Sequence, residues 1–87
     1  MAQFTAKIID QVGLHARPAS VLAKEASKFT SDIKISSEGK EGNLKSIMNV
    51  MALAIKSGSD VTITATGSDE TDAIAAIQNI MKENGII

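Results

Sequence analysis

Cysteine, tryptophan and tyrosine are missing from these 87 residues, which hold one proline, one histidine and two phenylalanines. Without cysteine there is no disulfide frame and no thiolate metal site, and a lone histidine has no second imidazole with which to share a metal. Nine Lys plus Arg stand against ten Asp plus Glu, for a net charge of −1. With so few aromatics, that balance excludes a basic, base-stacking surface for direct nucleic-acid binding. No apolar run approaches the ~20 residues of a membrane span. The opening MAQFTAKIID shows no apolar core behind a basic flank, so secretion is not expected and a cytoplasmic protein is. Of the six glycines none belongs to a GxxxxGKS-type phosphate loop, so no nucleotide or other cofactor is expected. What is present is 44% hydrophobic and 22% charged, an ordinary globular balance. Residues 1–87 are the size of one domain. A chain this short buries only roughly 60–65% of its unfolded surface, which makes a deep internal active site improbable.

Apolar and polar residues alternate from Gln3 to Ile9, with Phe4, Ala6 and Ile8 on one side and Gln3, Thr5 and Lys7 on the other, the period of a strand. Asp10, Gln11 and Gly13 break it. From about Ala16 the spacing becomes helical: Ala19, Leu22, Ala23 and Ala26 share a face, Phe29 follows a turn later, and Lys24 and Lys28 lie off the stripe. Asp32 to Ser37 alternates again, and Glu38-Gly39 reads as a hairpin turn into a short strand at Lys40 to Asn43, weakened by Gly42. A second helix is expected from Ser46 to about Lys56, stopped by Ser57-Gly58. Val61, Ile63 and Ala65 then alternate with Thr62, Thr64 and Thr66. Ser68-Asp69-Glu70 opens a third helix, its carboxylates suited to the positive end of the dipole. That helix carries Ala73, Ala76, Ile77 and Ile80 on one face and ends near Asn84-Gly85. The order is βαββαβα, and the alternation in each strand suits an α+β, two-layer sandwich with one sheet face in water.

His15 is the one imidazole in the chain, a nucleophilic side chain. Most single histidines in small domains are surface or capping residues without chemistry. The setting of this one, Gly13-Leu14-His15-Ala16-Arg17-Pro18-Ala19, is more pointed. It stands where a turn ends and a helix begins, and the first N–H groups of a helix have no internal acceptor and sit at its positive end. Such a terminus holds anions. Arg17 adds a planar guanidinium suited to phosphate oxygens, and Pro18 fits the first turn because its missing N–H had no partner there. Proline also disfavours helical geometry in the preceding residue, which leaves His15 and Arg17 as rival caps. The residues place no carboxylate to form a relay with the ring. An imidazole nitrogen can accept a phosphoryl group covalently, and this chain offers an acceptor and a cradle but no phosphoryl source, so donor and recipient must be other proteins.

Ser46 opens the second helix, at least as an N-cap worth ~1 kcal/mol. A phosphate there would favour the helix through its dipole, so any regulatory effect would come from charge at a docking surface. Ile47, Met48, Val50, Met51, Leu53, Ala54 and Ile55 cover a wider arc than burial on one side requires. Met48, with Ile47 or Met51, should therefore stay partly exposed, as a transient interface needs, while part of the set fills the core.

The stretch Gly13 to Ala19, with Asn43-Leu44-Lys45-Ser46-Ile47-Met48 and Gly67-Ser68-Asp69-Glu70, closely resembles the HPr family, the histidine-containing phosphocarriers of the bacterial phosphoenolpyruvate-dependent sugar phosphotransferase system. The resemblance spans essentially the whole chain. It implies a phosphohistidine at His15, carried on Nδ1 and assisted by Arg17, with Ala16 and Pro18 supporting the helix start. It implies enzyme I as donor and enzyme IIA domains as acceptors; docking is expected through Ser20, Lys24, Ile47, Met48 and Met51. Ser46 would match a regulatory serine served by an HPr kinase/phosphorylase, its phosphorylated form binding a catabolite-control transcription regulator. The protein would be a carrier without turnover of its own, a monomer, folded as an open-faced sandwich with strand order 1-4-2-3 and three helices on one face. Val12, Asn49 and Ser37 depart from residues common in the family at those positions. The competing readings are a regulatory binding module acting mainly through Ser46, and a small-molecule-sensing domain, for which no glycine-lined pocket speaks.

Overall fold

Four stretches of alternating residues become strands and three amphipathic stretches become helices in the computed structural model, which describes residues 1–87. In chain order these are β1 (Ala2–Lys7), α1 (Ala16–Ala26), β2 (Asp32–Ser37), β3 (Lys40–Asn43), α2 (Ile47–Ala52), β4 (Asp60–Thr66) and α3 (Glu70–Glu83). The strands form one antiparallel sheet in the order β1-β4-β2-β3. The β-branched β4 is interior, so Ile63 stands opposite Phe4 on one side and Ile35 on the other. Ile33, Ile35, Val61, Ile63 and Ala65 point into a core of 17 buried residues. Ala19, Leu22 and Ala26 of α1, Val50 of α2 and Ala73, Ile77 and Met81 of α3 meet them there. Each fully buried Leu or Ile contributes roughly 1.5–3 kcal/mol to that union. The opposite face is polar and open, with the Thr5 and Thr62 hydroxyls 2.9 Å apart.

The β2–β3 turn puts both Glu38 (φ 53°) and Gly39 (φ 79°) in the left-handed region, the geometry of a tight hairpin whose twist matches its strands. Gly42, which weakens β3 as a strand, has a packing reason: a Cβ there would lie 3.3 Å from the Asn49 carbonyl, so α2 rests on this part of β3. Ser37 uses its hydroxyl to donate to the Asp60 carbonyl at 2.9 Å, tying β2 to β4.

The second helix is shorter than its apolar run suggests. It stops at Ala52, not near Lys56, because Leu53 caps it and Ala54 turns to φ 50°. That turn drops Ile55 into the core and aims its carbonyl at the amide of Leu14, which donates to it at 3.0 Å. A tertiary bond ends the helix before Ser57-Gly58 can.

The start of α3 also differs from a simple dipole argument. The Asp69 carboxylate makes no bond to its own helix. It accepts instead from the amides of Thr30 (2.9 Å) and Ser31 (3.0 Å) and from both hydroxyls, bridging the α1–β2 loop to α3. The Ser31 hydroxyl, then the Thr30 amide, hold its pKa down to about 2 from 3.8. The folded value lies below the unfolded one, so the stabilisation is complete above about pH 4 and is lost as pH falls through the folded value. We expect Asp69→Asn to lower the melting temperature at pH 7 and to flatten its acid limb between about pH 4 and 2. Parallel wild-type and mutant melts over that window would refute the linkage. Glu70 fills the dipole role, its carboxyl held below the usual range by the Met1 amine and by the Gly67 amide, which donates to it at 3.2 Å.

Candidate functional site

The segment from Ile8 to Leu14 is clamped before it reaches His15. The Ile8 amide donates to Ser59 (2.9 Å), the Ile9 amide to Ile86 (2.8 Å) and the Gly13 amide to the Asp10 carbonyl (3.0 Å). Gly13 passes at φ 85° so close to the turn after α2 that a Cβ would sit 2.4 Å from the Ile55 carbonyl oxygen. Only glycine fits that approach. Leu14 is buried next to it, which swings His15 outward.

His15 is the N-cap of α1, in extended geometry (φ −91°, ψ −166°), and its carbonyl accepts from the Ala19 amide at 3.0 Å. Arg17 is therefore inside the helix despite preceding Pro18, which is itself buried. The His15 side chain makes no capping bond, and 37% of it is exposed. The helix that starts beneath the ring has no acidic residue in its first turn, so its positive end is not already neutralised. Ala16 and Arg17 supply N–H groups at that end. His15 and Arg17 line one open groove with Ile9, Asp10, Val21 and Asn84 to Ile86.

One carboxylate does approach the ring, contrary to the expectation from spacing: Asp10 Oδ1 is 3.8 Å from His15 Nε2. The loop between them folds back, so five residues of separation become one contact. The same Oδ1 accepts from the Val12 amide at 3.0 Å, an Asx turn that holds the carboxylate in place. Val12 itself is an exposed apolar residue on the rim.

Ser46 is an N-cap: its hydroxyl accepts from the Asn49 amide at 3.2 Å. The Asn49 side chain adds a second donation to the same hydroxyl at 3.2 Å and accepts weakly from the Asn43 amide at 3.4 Å. Sequence spacing did not single out Asn49 as a partner of Ser46. Ser20, Lys24, Lys45, Ser46, Ile47 and Met48 border one shallow depression between α1 and α2. Lys45 is partly committed, donating to the Phe29 carbonyl at 2.8 Å. Ile47, Met48 and Met51 are 41%, 81% and 45% exposed, so the excess apolar arc of α2 is open to solvent as expected. Met51 lies outside that depression, and the groove at His15 is separate from it.

A half-exposed imidazole above a helix start with no acidic residue in its first turn, with a separate apolar patch on α2, is an arrangement suited to the class of small proteins that hold an anionic group at their surface. Comparison with known proteins gives the class its family. The family described as the PTS HPr component phosphorylation site matches residues 2–83. The phosphocarrier protein HPr of Mycoplasma capricolum is 62% identical over 87 residues, covering 100% of this chain and 98% of its own. That of Mycoplasma genitalium is 51% identical over 88 residues, with 100% of both chains covered. A solved histidine-containing phosphocarrier protein described in terms of the divergence of Mycoplasma superposes with a TM-score of 0.97 at 62% identity, over 99% of this chain and 98% of the other. HPr-C-His from Thermoanaerobacter tengcongensis gives 0.90 at 40% identity, over 95% and 93%. The chain belongs to the HPr family of phosphocarriers of the phosphotransferase system. Its strand order and one-sided helices are those of the HPr fold.

Proposed function

We propose that His15 is the residue that carries the phosphoryl group, receiving it from phosphorylated enzyme I and passing it to sugar-specific enzyme IIA domains. The observation that carries this reading is the exposed, uncapped imidazole over a helix start without acidic residues. Arg17 and the amides of the first turn offset the charge on the bound oxygens. The phosphoryl group itself supplies the reactivity, so no cofactor takes part, and the protein is a covalent intermediate with no turnover alone. It works in the cytoplasm as one domain spanning residues 1–87, as a monomer. Both partners need the same atom in turn, which calls for interfaces at the small end of the protein–protein range. Ile47, Met48 and Met51, with Ser20 and Lys24, form the docking side of that surface.

Ser46 is the regulatory site in this reading, modified by an HPr kinase/phosphorylase where the host has one, with a catabolite-control regulator reading the product. Crh of Bacillus subtilis, a catabolite-repression protein solved as an intertwined dimer, is 38% identical with a TM-score of 0.76. A module acting mainly through Ser46 does not need the His15–Arg17 pair, and the presence of that pair here favours the carrier. The test is transit. Protein charged by enzyme I and phosphoenolpyruvate, then freed of both, should lose its acid-labile phosphoryl group to an added enzyme IIA. Retention of the group on a competent IIA partner would leave a dead-end modification and end the carrier reading.

A further inference from the structure

The loop between β1 and α1 sets one carboxylate against the ring. Asp10 Oδ1 lies 3.8 Å from His15 Nε2, with the Asp10 side chain only 24% exposed. Asp10 is not a loose surface acid. Its Oδ1 accepts from the Val12 amide and its carbonyl from the Gly13 amide, each at 3.0 Å, while the preceding Ile9 amide is tied to Ile86. The other charged side chain lining the groove is that of Arg17.

We infer that Asp10 is a positioning residue for His15, holding the imidazole with Nε2–H toward its carboxylate so that Nδ1 keeps the lone pair for attack. The inference rests on His15 being the phosphoryl acceptor. At 3.8 Å the pair is too far apart for a hydrogen bond, and such contacts tighten as the reactive complex forms. The tautomer of a histidine is set by what its other nitrogen meets. In the transfer, the Nδ1 lone pair forms the N–P bond while the donor's bond to phosphorus breaks, its electron pair staying with the donor. Nε2 keeps its proton throughout, so the product ring is cationic, and the neighbouring carboxylate favours that form over the neutral one. On delivery a nucleophile of the acceptor protein bonds to phosphorus while the N–P electrons return to Nδ1, and the ring leaves as neutral imidazole with Nε2 still protonated.

Asp10→Asn tests this while leaving an acceptor for the Val12 amide. In wild-type protein the ¹⁵N spectrum of unphosphorylated His15, in its neutral form, should be dominated by the Nε2–H tautomer, and in Asp10→Asn the two tautomers should become mixed. Phosphoryl uptake at saturating phospho-enzyme I should fall roughly tenfold, the order of loss seen when a partner that orients a metal-bound histidine is removed, with KM and melting temperature little changed. Asp10→Glu, which keeps the charge, should recover part of the rate. A wild-type ring dominated by Nδ1–H, or an Asp10→Asn protein with unchanged tautomer ratio, would overturn the inference, whatever happened to its rate or stability. If wild-type protein took up no phosphoryl group, the acceptor reading would fail by itself, while the tautomer ratio would still report on the Asp10–His15 contact.

Discussion

Replacing Arg17 with Glu is expected to slow phosphoryl uptake from phospho-enzyme I by about 100-fold or more while leaving thermal unfolding nearly unchanged. The rate effect follows from position. Arg17 is exposed, lies in the first turn of α1, and lines the same groove as His15. A phosphoryl group on the ring brings negative oxygens to this helix end, and one lost donor aimed at developing charge commonly costs 10²–10³ in rate. Glu removes the guanidinium and adds repulsion, so the loss lies at or above the lower limit. The stability effect is small because Arg17 makes no ion pair, and a carboxylate in the first turn suits the dipole. Single-turnover uptake and a melting curve separate the two. A rate within threefold of wild type would remove Arg17 from the transfer site, and a large fall in melting temperature would make it structural.

Gly13→Ala has the largest expected effect on stability. The residue holds φ 85°, and its added Cβ would meet the Ile55 carbonyl oxygen at 2.4 Å and Lys56 Cα at 2.9 Å, both backbone atoms with no rotamer to yield. Left-handed strain and forced repacking each cost about 1–3 kcal/mol, for a combined loss of about 3 kcal/mol. At roughly 4–8 °C per kcal/mol for a domain of this size, melting falls by more than about 12 °C. The Leu14–Ile55 hydrogen bond would be displaced with it, and His15 with that bond. Folded Gly13→Ala protein at low temperature should therefore also take up phosphoryl more slowly than wild type. A fall of only a few degrees would show that the turn after α2 gives way easily.

The strands and the two longer helices were legible because their cause is local. Val61, Ile63 and Ala65 alternate with threonines wherever they are placed, and the stripe of Ala19, Leu22 and Ala26 defines α1 before anything packs on it. The strand order needed more than pattern, since alternation shows which face is buried but not which strand is the neighbour. The HPr resemblance supplied that order, and the observed β1-β4-β2-β3 sheet agrees. The length of α2 was not legible. Its apolar residues continue past Ala52, and what stops it is Ala54 turning so that Ile55 can serve Leu14, a partner about forty positions away in the chain. Asp69 caps α3 as its type suggests, but its carboxylate is used by Thr30 and Ser31 in the α1–β2 loop, partners that no local pattern reveals. At the site, Gly13 to Pro18 carried both the acceptor and its cradle in one short stretch. Asp10 did not show itself beside His15, because that contact exists only once the loop has closed on the Val12 and Gly13 amides.

A phosphocarrier role for this protein requires a bond between phosphorus and one ring. ³¹P and ¹⁵N spectra of protein charged by enzyme I and phosphoenolpyruvate, with wild type and His15→Ala side by side, locate that bond directly. The expected result is a single acid-labile phosphoryl group coupled to Nδ1 of His15 and no label on His15→Ala. A phosphoryl group coupled to any other residue, or one that survives the loss of His15, would contradict it.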